Sequence, residues 1–192
     1  LTSYKGMFAD LTDAIDFNDF ANYKVQCLTV EDRVYGVPFD SGTAGIFYRT
    51  DYLEQAGYSA EDMVDITWPE MIEIAKAVRE KTGKYAFDFL PSECAFAWFD
   101  SAMQSTGEWF YDEEGNADFV NNKAVREMFD VVKELWNSDC VYRSASRDSA
   151  AVSAIQEGEV AFCLTAVWGS NTITAGTDAS GLWDYVPVPK LT

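Results

Sequence analysis

A broken pair of apolar runs constrains this chain more than any other feature. Val34–Phe39 and Ala44–Tyr48 stand on either side of Asp40-Ser41-Gly42-Thr43. Runs of this length, rich in Val, Ile, Phe and Tyr, suit the pleated surface of a sheet, whereas Pro38 and the glycines interrupt a hydrogen-bonded ladder. The gap therefore gathers a carboxylate, two hydroxyls and bare backbone at one place. Two readings follow from these residues. Either the gap is the polar turn of a surface hairpin, or it faces a hydroxylated small molecule.

The rest of the chain alternates strand-like and helical patterns, which predicts an α/β fold with a central sheet flanked by helices. Asp10–Phe17 reads as a short helix with Leu11 and Ile15 on one face. Thr50–Gly57 reads as a helix capped by Thr50 and closed by Gly57. Thr67-Trp-Pro-Glu70 has the capping-box pattern with proline in the first turn, so a helix is expected from there to Gly83. Tyr85–Leu90 is strand-like apart from the charged Asp88, and Ala95–Ser105 is an apolar, aromatic-rich helix. Asp112–Asn116 reads as a hairpin turn. Asn121 or Asn122 then caps a helix whose expected buried side is Val125, Met128, Phe129, Val132, Leu135 and Trp136. Ser149–Glu157 is a further helix, Val160 to about Thr165 a strand, and Tyr185–Pro189 an extended segment held so by its prolines.

Composition removes several classes of function. Fourteen basic and 32 acidic residues leave a formal charge of −18, which repels nucleic-acid phosphates and anionic membranes. There is no histidine, and with it go the Ser-His and Cys-His catalytic arrangements. Cys27, Cys94, Cys140 and Cys163 form no closely spaced pair, so no metal site is read and buried free thiols are expected. No cofactor motif is found. No apolar stretch reaches the about 20 residues that span a bilayer. The opening Leu-Thr-Ser-Tyr-Lys-Gly does not look like a natural start, and the chain is expected to be an excised segment.

Three constellations could carry chemistry. The first is Asp40–Thr43. The second is the aromatic helix start with Glu93, Phe96 and Trp98. The third is Ala166-Val-Trp-Gly-Ser-Asn171, where a strand gives way to Trp168 and small polar residues, with Ser170 or Asn171 able to cap a following helix. A tryptophan at a strand-to-helix corner offers an apolar face and one donor, which suits a sugar ring. A desolvated carboxylate accepts charge-assisted hydrogen bonds from hydroxyls. Core packing is the competing role for each aromatic. Arg49 and Arg143 could bind an anion, although Arg49 is close to Asp51. Glu93, Asp40 and Asp100 could supply paired carboxylates for glycoside hydrolysis, a reading that depends on a separation sequence does not give.

These segments, in this order, resemble the extracellular solute-binding proteins of ABC transporters, the family that includes maltose-binding proteins. The resemblance is carried by Tyr35-Gly-Val-Pro38, Ile46-Phe-Tyr-Arg-Thr-Asp-Tyr-Leu53 with Gly57, Thr67-Trp-Pro-Glu-Met71, Thr106-Gly-Glu-Trp-Phe110, Ala154-Ile-Gln-Glu-Gly-Glu-Val-Ala161 and Trp168-Gly169. It implies a periplasmic-binding-protein-like lobe. Residues 1–37 would end a first-lobe segment, 38–190 would form most of the second lobe between two hinge crossings, and 191–192 would be a tail. Ala166-Val167-Trp168 departs from the usual Gly-Pro-Trp, and Cys94-Ala95 stands where some relatives carry an aromatic.

By motif position the resemblance implies ligand contacts at Asp40, Ser41, Gly42 and Thr43, sugar stacking at Trp168, and a nearby cleft aromatic at Phe96 or Trp98. The implied function is capture of a carbohydrate outside the cell, with no catalysis, and its delivery to ABC permease membrane subunits. The implied location is periplasmic or cell-surface, with membrane association only through a lipoprotein-type anchor absent from this chain. A non-sugar solute such as a polyamine is the alternative ligand.

Overall fold

The computed structural model describes residues 6–40, 42–89, 94–107, 109–112, 114–144, 149–175 and 181–192, with the side chains of 94–96 outside that description. The chain divides into two compact units, Leu1–Gly42 and Thr43–Thr192.

In the first unit, α1 (Asn22–Cys27) precedes a tight antiparallel hairpin of β1 (Thr29–Val30) and β2 (Arg33–Val34). Its two turn residues, Glu31 and Asp32, have positive φ, as a hairpin turn matched to strand twist requires. The helix expected over Asp10–Phe17 is replaced by turns. The Asp10 carboxylate accepts from the Thr12 backbone N–H and hydroxyl and pairs with Arg33, a local alternative to helical bonding open to Asp. The strand expected over Val34–Phe39 is likewise reduced to Arg33–Val34, and residues 35–40 are irregular.

The second unit is built on a five-stranded mixed sheet. Its strands are β3 (Ala44–Arg49), β4 (Tyr85–Phe89), β5 (Val141–Arg143), β6 (Val160–Ala166) and β7 (Trp183–Pro187). They are ordered β5-β4-β6-β3-β7. Only β3 runs against its neighbours: β4 is parallel to β5 and β6, while β3 is antiparallel to β6 and β7. The carboxyl ends of β4, β5, β6 and β7 and the start of β3 therefore share one edge of the sheet, the usual ligand edge of such layers.

Helices cover both faces. Following β3 is α2 (Thr50–Gln55), with Arg49 rather than Thr50 at its N-cap position; the Thr50 hydroxyl instead donates to the Leu182 carbonyl at 3.2 Å. The next helix, α3 (Trp68–Thr82), has the expected capping box, the Glu70 carboxylate accepting from the Thr67 N–H at 2.8 Å and its hydroxyl at 2.6 Å. It ends at Gly83 in the left-handed conformation. The remaining helices are α4 (Cys94–Thr106), α5 (Lys123–Asn137), α6 (Ser149–Gln156) and α7 (Ser170–Thr174).

Asn122 caps α5, accepting from the Val125 N–H at 2.9 Å. The buried face of α5 is Ala124, Met128, Val131 and Leu135, rotated from the expected stripe, and Phe129 is 61% exposed. Those four residues recur at the helical period and meet α3 and α4, whereas Phe129 lies one residue beyond that seam.

The larger core lies between the sheet and α3, α4 and α5 and holds Phe87, Phe162, Leu164, Trp68 and Trp98. A smaller core that includes Phe47, Ile155, Cys163 and Ile173 lies against α6 and α7. The alternation of strand side chains assigns these faces. On β6, Phe162 and Leu164 enter the first core and Cys163 the second. On β4, Phe87 and Phe89 enter the first, leaving Asp88 on the face of α6 and α7.

Candidate functional site

At the shared edge β6 gives way to a single 3-10 turn, Val167–Gly169, and then to α7. Trp168 sits in that turn with 62% of its surface exposed, the strand-to-helix corner expected from the sequence. The residue at the N-cap of α7 is Gly169, with no side-chain cap, so neither Ser170 nor Asn171 fills that role. A Cβ on Gly169 would fall 2.5 Å from Thr165 Cγ2. Glycine here lets the turn seat directly on β6.

Trp168 lines a pocket of about 270 Å³ together with Asp88, Thr165, Thr172, Cys163, Ile155 and Ile173, among others. Asp88 is 4% exposed, placed there by the β4 alternation. Among the described residues it is the one carboxylate in a mostly apolar lining that also includes Thr165 and Thr172. The described lining contains no lysine or arginine. Such a pocket suits hydroxyl donors or a cation and disfavours an anion.

The two cations that could have bound an anion are engaged elsewhere. Arg49 is 7% exposed and forms a two-point pair with Asp51, both bonds 2.8 Å, while its guanidinium lies 4.3 Å from the centroid of the Tyr52 ring. Arg143 donates to the Trp136 carbonyl at 2.6 Å and lies 4.2 Å from the Trp136 ring. Stacking and bidentate pairing hold both guanidinium groups against the protein.

The other residues singled out by sequence fall as follows. Asp40 and Gly42 are exposed at the end of the first unit. Thr43 opens the second, and its carbonyl accepts the Val167 N–H at 3.2 Å and the Tyr185 hydroxyl at 2.9 Å. Thr43 is thus bonded to the residue preceding Trp168. Ser41, Glu93 and the Phe96 side chain lie outside the described residues. Trp98, expected near a cleft aromatic, is 1% exposed. Its ring stacks on Trp68 at 5.1 Å and meets Phe87 edge-on at 5.0 Å. The α4 helix packs on the larger-core face of the sheet, so this ring points into the core and away from the Asp88 pocket.

Asp100, also on α4, is half-buried and accepts from Gln104, and burial pushes its carboxyl above the usual range. Cys140 and Cys163 are buried, while Cys27 is exposed. Among the described residues no three His, Cys, Asp or Glu side chains converge to hold a metal, and no helix is long and apolar enough to cross a membrane. Sequence reading passed over Asp88 as a site residue, though a lone charge inside an apolar strand was its signal.

The sequence profile of the family described as bacterial extracellular solute-binding protein matches residues 2–191. The chain belongs to that family. The lactose-binding protein of Rhizobium radiobacter is 40% identical over 191 residues, which is 100% of this chain and 44% of that protein. The fold matches the GacH receptor of Streptomyces glaucescens, solved unliganded and with acarbose, at a TM-score of 0.80 and 24% identity, covering 98% of this chain and 48% of the receptor. It also matches the galacto-N-biose/lacto-N-biose I-binding protein of Bifidobacterium longum at a TM-score of 0.78 and 21% identity, over 94% of this chain and 45% of that one. The chain thus spans about half the length of the solute-binding relatives it matches.

Proposed function

We propose that this chain supplies one wall of an extracellular carbohydrate-binding protein that hands its ligand to ABC permease subunits. In this reading residues 38–190 are most of the second lobe, between two hinge crossings, and residues 1–37 close a segment of the first. The observation that carries it is Trp168, a large exposed aromatic at the ligand edge of the sheet, which lines a pocket together with the buried Asp88 and with Thr165 and Thr172. The indole face takes the C–H face of a sugar ring, and Asp88 and Thr165 take hydroxyls at its rim. Asp40, Ser41, Gly42 and Thr43 are proposed ligand contacts by motif position, and the parent protein is proposed to be periplasmic or held at the cell surface by a lipid anchor.

The 40% identity to a lactose-binding protein makes lactose the first sugar to test. Ligand bridging two lobes would shift a hinge equilibrium toward closure, as periplasmic binding proteins do. The test is calorimetry on the full-length protein with lactose, lacto-N-biose and spermidine. A disaccharide should bind, and Trp168→Ala should weaken it by about 2 kcal/mol, roughly thirtyfold. Asp88→Asn should weaken it too, by removing the charge assistance. Binding of spermidine with no sugar binding would replace carbohydrate by a polyamine. The isolated chain should bind far more weakly than the full-length protein; equal affinity would overturn the one-wall reading.

A further inference from the structure

The carbonyl that pairs with the start of the Trp168 turn also accepts a bond from a side chain on the edge strand β7. Tyr185 on β7 lies opposite Phe47 on β3, and Pro187 opposite Gly45. Phe47 and Gly45 on β3 and Thr43 just before it follow at the period-two spacing of one face. The Tyr185 ring packs on Phe47 at 4.6 Å between centroids and extends along that face. A Cβ at Gly45 would fall 2.4 Å from Tyr185 Cζ and 2.5 Å from its hydroxyl oxygen. The phenol fills the space a side chain at position 45 would need, and only glycine lets it pass.

That hydroxyl donates to the Thr43 carbonyl at 2.9 Å. The same oxygen accepts from Val167 N–H at 3.2 Å. Ala44 opposite Ala166 is the last ladder pair between β3 and β6, so this bond extends the pairing one step, to the residue before Trp168. On the other side Gly169 is wedged against Thr165. Trp168 is therefore suspended between an anchored Val167 and a seated Gly169.

We propose that Tyr185 is a positioning residue for the ligand-stacking face of Trp168, acting through the Thr43 carbonyl; this rests on Trp168 being the stacking residue. A bond at the end of a ladder frays when its acceptor is free to turn. The phenol fixes the acceptor, and so fixes where Val167 and the indole after it stand. Positioning of this kind raises affinity because the platform is ordered before the ligand arrives.

Fluorine NMR of the full-length protein labelled with fluorotryptophan tests this, with the Trp168 signal assigned by its loss in Trp168→Phe. Tyr185→Phe keeps the ring and removes the hydroxyl. The Trp168 signal should shift or broaden while those of Trp68 and Trp98 hold, and the lactose Kd should rise about fivefold, the worth of one hydrogen bond. The control is Tyr48→Phe, which removes a hydroxyl donating to Asp184 at 3.2 Å on the opposite face of the same strand. It should lower the melting temperature and leave both the Trp168 signal and the lactose Kd unchanged.

If Tyr185→Phe lowers the melting temperature but leaves the Trp168 signal in place, Tyr185 is a packing residue only and the proposal is overturned. A moved signal with an unchanged lactose Kd overturns it as well. If the unaltered protein does not bind lactose, the lactose assignment fails, while the comparison of the two tyrosine variants still decides what Tyr185 does to Trp168.

Discussion

Replacing Trp98 by alanine separates the two tryptophans that sequence placed at the ligand. The ring is 1% exposed and sits among Trp68, Phe87 and Phe89, with centroid distances of 5.1, 5.0 and 5.7 Å. Truncation removes its buried surface and leaves a cavity that three large neighbours cannot collapse to fill. Such core substitutions cost about 3–5 kcal/mol, a large share of the roughly 5–15 kcal/mol that holds a typical domain folded. At about 2–4 °C per kcal/mol for a chain of this size, the melting temperature should fall by roughly 6–20 °C. The Trp168→Ala change, at a side chain 62% exposed, should stay within about 0.5 kcal/mol. Thermal melts of the chain followed by far-ultraviolet circular dichroism read both. If Trp98→Ala melts within about 2 °C of the unaltered chain, the ring is not part of the core and its placement away from the Asp88 pocket collapses with it.

Three further outcomes are expected. Burial and the neighbouring Asp184 carboxylate push the Tyr48 hydroxyl from 10.0 up to about 12; the folded state keeps this proton after the unfolded chain has lost it. Stability should therefore be intact below pH 10 and decline from there toward pH 12, and Tyr48→Phe should flatten that decline in urea titrations at stepped pH. On α5, Phe129→Lys should change the urea midpoint little, whereas Met128→Lys, one residue earlier and buried, should abolish the cooperative transition; equal effects would contradict the observed helix face. Thr67→Ala removes the N-cap hydroxyl of α3 and should cost about 1 kcal/mol, with the loss shrinking in acid as Glu70, whose carboxyl its bonds to Thr67 hold below the usual range, becomes protonated.

Much of the scaffold was legible because its signals are local. Thr67, Pro69, Glu70 and Gly83 bound α3 through hydrogen bonds and backbone angles that adjacent residues settle among themselves. Asn122 and the Asp112–Asn116 turn, closed by the bond from Asp112 N–H to the Asn116 carbonyl, were readable for the same reason. Asp10–Phe17 misled because Asp10 found Thr12 and Arg33 instead of a helix. The α5 face was read one step off because Phe129 is as apolar as its buried neighbours, and only contact with α3 and α4 decides between them.

For the candidate site, sequence by itself determined that Trp168 stands at a strand-to-helix corner, that a polar gap follows Phe39, and that motif order places the chain in its family. It could not tell which aromatics are buried. Trp98 and Trp168 are the same residue type, and their burial differs only because α4 lies on one face of the sheet while the Val167–Gly169 turn follows β6 at its edge. Asp88 became a pocket carboxylate through the alternation of β4 against β6. Tyr185 reached Thr43, distant in sequence, because β7 pairs with β3 and Gly45 leaves the way open. Local chemistry sets the elements; strand pairing and face decide which side chains meet.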